Sequence, residues 1–81
     1  MYKVVTYERF VKKLKDLGYT EHRITGNHLS LTNSTFHSSI VIPISMKKKE
    51  IPLPTLMSYR RIMVEKGVIS NEDFAKIIKG E

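Results

Sequence analysis

Three side chains in the sequence can accept or donate a proton near neutral pH: His22, His28 and His37. His28 has the most suggestive setting. It lies in the stretch RITGNHLSL, residues 23 to 31, just after Gly26-Asn27, a two-residue turn signal. It opens an alternating run in which Leu29 and Leu31 share one parity and His28, Ser30 and Thr32 the other. In a strand the leucines would face a core and His28 would face away from it. An imidazole held there could act as general base or general acid, or be a bystander beside a turn. Arg23, just before the turn, could reach a phosphate at the same place or serve as a cross-strand charge partner. Lys47, Lys48 and Lys49 form a basic loop, which suits sequence-independent contact with a polyanion backbone or plain solvation.

Other chemistries find no footing. There is no cysteine, so disulfides and thiolate metal sites are excluded. His22 and His28 could approach across a hairpin, but two ligands do not make a metal site. No metal and no cofactor are expected. The sequence carries no glycine-rich phosphate loop, no Ser-His-Asp pattern at a strand-to-helix elbow and no paired carboxylates.

The balance of charge narrows the partners. Lys and Arg number 14 against 8 Asp and Glu, formally +6, with a sequence pI near 9.7. Such a surface favours a polyanion, with nucleic acid foremost. The 81 residues argue for one domain, 1–81. No apolar run approaches the ~20 residues of a membrane span, so no membrane partner is expected. The start, MYKVVTYERF, lacks the apolar core and small-residue cleavage site of a secretion signal. Together with the missing cysteines this suits a cytoplasmic protein.

The elements that must position these residues follow from periodicity. Residues 7 to 17 set Tyr7, Phe10, Val11, Leu14 and Leu17 on one helical face. Thr6 can cap that helix, and Gly18 can end it in a left-handed conformation. Arg9, Lys12, Lys13, Lys15 and Asp16 fall mostly on the other face, read as solvated. Residues 19 to 25 read as a first strand of ambiguous facing, because Tyr19 and Ile24 differ in parity. Residues 28 to 33 form a second strand, and 34 to 38 a loop. Residues 39 to 45 form a third strand with Ile40, Ile42 and Ile44 inward. Pro43 places that strand at an edge or ends it. Pro54 suits the first turn of a second helix, read over 55 to 66, with Leu56, Tyr59, Ile62 and Met63 inward and Gly67 at its end. Ser70 can cap a short last helix docked by Phe74, Ile77 and Ile78, with Glu72 and Asp73 favourably placed in its first turn. The expected class is α+β: α-β-β-β-α, a three-stranded antiparallel sheet with helices on one face and a short C-terminal helix.

The chain resembles HicA-type toxins, small mRNA interferases with a double-stranded-RNA-binding-domain-like fold. The resemblance covers nearly the whole chain. Leu17-Gly18-Tyr19 looks like the family's "L-G-F/Y". Arg23 with Gly26-Asn27-His28 looks like its "R-x-x-G-S-H". A strand ends in Pro43, and Glu50-Ile51-Pro52 leading to Thr55-Leu56 is similar to its "E-L-x-x-G-T-L". Gly67 with Ser70-Asn71-Glu72-Asp73-Phe74 looks like its "G-L-S/T-x-E-E-F" ending. There are departures. Asn27 replaces the usual Ser or Gly, and Pro54 replaces a glycine. Ser45 stands where many members carry a second histidine. The segment Leu56 to Gly67 is about one helical turn longer than usual.

The resemblance implies a metal-independent endoribonuclease, with His28 as the catalytic histidine. RNA carries its own nucleophile, the 2′-hydroxyl, so cleavage needs a base, an acid for the leaving oxygen and positive charge on the phosphate. Arg23, Asn27, Lys47, Lys48 and Lys49 are the expected RNA contacts. The implied partners are mRNA and a HicB-like antitoxin, a separate chain that covers the active face. The toxin would be monomeric when free and hetero-oligomeric with the antitoxin. Two alternatives remain. A non-catalytic RNA-binding module of the same fold would not require His28. An adaptor for a protein partner would have no RNA affinity.

Overall fold

A computed structural model describes residues 5–79. The reading of the N-terminus as free of a secretion signal rests partly on the first four residues, which lie outside that range. The order is α1 (Tyr7–Asp16), β1 (Thr20–Thr25), β2 (His28–Asn33), β3 (Ser38–Pro43), a 3-10 turn (Ile44–Met46), α2 (Leu53–Glu65) and α3 (Asn71–Lys79).

Helix α1 starts where the sequence can satisfy its free N–H groups. The Thr6 hydroxyl accepts from the Arg9 N–H at 3.2 Å. The Tyr7 and Glu8 N–H groups donate to the Lys49 and Lys47 carbonyls at 3.1 and 2.7 Å. Three otherwise unpaired donors of the first turn are thereby met. The lysine loop is pinned through its backbone while its side chains stay exposed. Tyr7, Phe10 and Leu14 are buried at helical spacing.

Helices α1 and α2 end alike. Gly18 and Gly67 adopt φ of 98° and 78°. Tyr19 N–H reaches the Leu14 carbonyl and Val68 N–H the Met63 carbonyl, each at 2.9 Å, while the glycine N–H groups reach Lys15 and Val64. These are paired Schellman bonds, and the left-handed residue they need is cheapest as glycine.

The sheet is antiparallel in the order β1-β2-β3. Its register puts Leu29 and Leu31 opposite Ile42 and Ile40, and Ser30 and Thr32 opposite Val41 and Ser39. Leu31, Ile40 and Ile42 are buried in one core with residues of all three helices, while Val41 is 47% exposed. The helices therefore cover one face and leave the other open. Phe10 stacks on Tyr59 with centroids 5.2 Å apart and meets Phe74 edge-on at 6.1 Å, so one ring from each helix closes the core.

Three expectations need correction. Ile44 is not an inward strand residue. The strand ends at Pro43 and the chain turns into the 3-10 segment, with the Ile44 N–H donating to the Asn27 carbonyl at 2.8 Å. Ser38, expected in the loop, is the first residue of β3 and is buried, its hydroxyl bonded to Tyr19 Oη at 2.7 Å. Helix α2 also begins before residue 55, with Pro54 inside its first turn. The mixed parity of β1 has a local cause. Glu21 pairs with Leu31 and Arg23 with Ser30, so His22 is the extra residue of a bulge.

Candidate functional site

His28 is the first residue of β2, and its Cα partners are Thr25 on β1 and Pro43 on β3. It is exposed and shares the open face with Ser30 and Thr32. The two-residue turn before it has Gly26 at φ 57°, and Asn27 is not in the left-handed region.

Asn27 fastens that turn to the 3-10 segment. Its carbonyl accepts from the Ile44 N–H at 2.8 Å. Its side-chain Oδ1 accepts from the Ser45 N–H at 3.0 Å, and its Nδ2 donates to Ser45 Oγ at 2.7 Å. Asn27 and Ser45, both departures from the HicA pattern, are thus in direct contact. Asn27 enters the site first as a clamp. Each end of its amide retains one further hydrogen-bonding position for a ligand.

Arg23 lies on the face of His28, two residues from Thr25 along β1. That diagonal relation spans roughly 7–8 Å between backbone positions, within reach of a long side chain. The residue opposite Arg23 is Ser30, so no cross-strand charge pair forms there. Instead Arg23 Nε donates to Thr25 Oγ1 at 3.3 Å. Thr25 is the residue that sequence reasoning missed. The signal for it exists, since it shares parity with Arg23 and sits symmetrically to His28 about Gly26-Asn27.

Lys47 to Lys49 follow the 3-10 turn that Asn27 clamps. Among the described residues their ammonium groups meet no carboxylate. His22 and His37 do not join the site. His22 is the bulge residue of β1, and His37 sits in the turn beyond the far end of β2 with φ 54°. Among the described residues no three His, Cys, Asp or Glu side chains gather as a metal site would require.

The open face is otherwise mostly hydroxyl-bearing. Thr20, Arg23 and Thr25 on β1, His28, Ser30 and Thr32 on β2, and Ser39, Val41 and Pro43 on β3 share it by register. His28 is the only imidazole among these. Of three surface depressions of about 410, 270 and 280 Å3, the last is lined in part by Arg23, and none of the three by His28, Ser30 or Thr32. An exposed imidazole outside these three depressions suits a polymer lying across it better than a small molecule, which usually needs enclosure. No helix among the described residues is long and apolar enough to cross a membrane. In comparisons with known proteins, no family model, no curated protein and no solved structure matches the chain.

Proposed function

We propose that the chain is a metal-independent ribonuclease of the HicA type, with a double-stranded-RNA-binding-domain-like fold, acting on mRNA in the cytoplasm and restrained by a HicB-like antitoxin. The observation that carries the reading is His28: exposed, on the helix-free face, at a turn fastened by Asn27 and Ser45. Arg23 shares its face, and the net charge of +6 suits a phosphate backbone. His28 takes the proton of the 2′-hydroxyl or supplies one to the leaving oxygen. Arg23 and Lys47 to Lys49 hold the phosphate and its neighbours. Replacing His28 by alanine and measuring RNA cleavage tests the reading.

A second reading has an observation of its own. No second acid or base accompanies His28 among the open-face residues paired in the sheet. A module that binds RNA without cutting it has no need of one. It differs from the first in a single outcome: nuclease-free preparations of the native chain would bind RNA and leave it intact.

A further inference from the structure

The helix-covered side of the sheet is not covered completely. Helix α1 packs Phe10 and Leu14 into the core, but its flank carries Glu8, Val11, Lys12 and Lys15 at successive turns. Between that flank and the strand ends lies a groove of about 270 Å3. Its floor is Val11, Leu29, Ile42, Pro43 and Ile44, of which only Ile42 is buried. Beyond Leu29 a second depression continues to Ile24, which is 65% exposed although its register partner is Leu29. Apolar surface is thus left open on the face opposite His28.

The rim gives the chemistry of the occupant. Lys12, Lys15 and Lys47 line the groove against one acidic lining residue, Glu8. Lys15 is engaged by Glu21 at 2.7 Å, while Lys12 and Lys47 meet no carboxylate among the described residues. The volume falls just below the ~300–1,000 Å3 of small-molecule pockets, a size for one or two side chains. We infer that this groove docks a segment of a separate protein that inserts one or two large apolar side chains and sets carboxylates against Lys12 and Lys47. Nucleic acid fits the lysines but not the apolar floor. The groove shares Lys47 with the proposed RNA contacts, but its apolar residues Leu29 and Ile42 lie on the sheet face opposite His28.

The test is selection of random short peptides displayed against the immobilised full chain, followed by NMR mapping of the enriched sequences. Expected winners combine a large apolar residue with Asp or Glu and shift the amides of Val11, Leu29 and Ile42, leaving those of Ser30 and Thr32 in place. Lys12→Glu with Lys47→Glu should weaken them roughly three- to tenfold, and added salt should act the same way. Both lysines are exposed, so an unchanged melting temperature certifies the variant. The milder pair Lys12→Ala and Lys47→Ala should give a smaller loss. Failure to enrich any peptide overturns the inference. So do neutral or basic winners, winners indifferent to the charge reversal, and winners that map to the open face. A short RNA oligonucleotide that shifts the groove amides would give the groove to nucleic acid. Self-association that shifts them would give it to a second copy.

Discussion

Asn27 and Ser45 hold each other across 18 residues of chain, the Asn27 amide accepting from the Ser45 N–H and donating to its hydroxyl. This pair fixes where β2 begins relative to where β3 ends, and so where His28 stands. The two bonds also differ in what a mutation removes. Ser45→Ala loses one, whereas Asn27→Ala loses both.

The expected cost of Ser45→Ala is therefore about 0.5–1 kcal/mol and that of Asn27→Ala about 1–2 kcal/mol, at the low end for exposed groups. The double variant should be hardly less stable than Asn27→Ala alone, because the second change finds the interaction already removed. Denaturant unfolding of all four proteins measures this. Fully additive losses would mean the two residues act separately.

Lys47, Lys48 and Lys49 serve the fold through two of their carbonyls and not through their ammonium groups. Replacing all three by alanine should leave the melting temperature nearly unchanged. RNA affinity should fall, and the dependence of log affinity on log salt should flatten by about 0.7 for each single-strand phosphate that a lysine no longer neutralises. An unaltered salt slope, read by fluorescence anisotropy over a salt series, would show that the loop does not touch RNA.

Much of this site was legible in the alternation of residues 28 to 33. The parity of Leu29 and Leu31 against His28 gave the facing, because burial on one face of a sheet admits only one register. The 3-10 turn was not legible. Ile44 continues the parity of Ile40 and Ile42, and nothing periodic says that Asn27 will capture its N–H and that of Ser45. The β1 bulge escaped for a similar reason, since an extra residue resets parity without marking itself in composition. Ser38 and Asn33 are polar yet buried. Asn33 Nδ2 donates to the Leu17 carbonyl at 3.0 Å and Ser38 bonds Tyr19, partners that only the folded chain brings near. The apolar groove beside α1 was also hidden, because Val11, Leu29 and Ile44 read as ordinary core residues.

The two helix-ending glycines should tolerate change unequally. An alanine Cβ at Gly67 would meet nothing within 4 Å, so its cost is the left-handed backbone alone, about 1 kcal/mol. At Gly18 the Cβ would come to 3.3 Å from Asn33 Nδ2, an atom held in place by Leu17. Gly18→Ala should cost about 2 kcal/mol or more. Chemical denaturation of the two variants compares them directly, and a larger loss at Gly67 would refute the steric argument.

Tyr59 gives the fold an alkaline signature. Its hydroxyl donates to the Val41 carbonyl at 3.0 Å. Burial, with Tyr7 adding to it, pushes the phenol from 10.0 up to about 12. The unfolded chain sheds this proton first, so the contribution of Tyr59 is whole below pH 10 and is lost as pH rises towards about 12. Tyr59→Phe removes the titration and the hydrogen bond. The variant should be about 0.5–1.5 kcal/mol less stable at neutral pH, and its melting temperature should fall less steeply than the native one in the alkaline window. Parallel alkaline curves would contradict the burial of the neutral phenol.

The central claim is that His28 performs chemistry and does not build the fold. One preparation of His28→Ala, purified free of contaminating nucleases, decides it when melting temperature, RNA affinity and cleavage rate are measured side by side with the native chain. Because His28 is exposed, stability should change by no more than about 0.5 kcal/mol. RNA binding should persist, since the basic side chains supply the backbone attraction. Cleavage should fall by roughly 10²–10⁴-fold, the usual contribution of a positioned general acid or base. A folded His28→Ala protein that cuts RNA at the native rate would contradict the account.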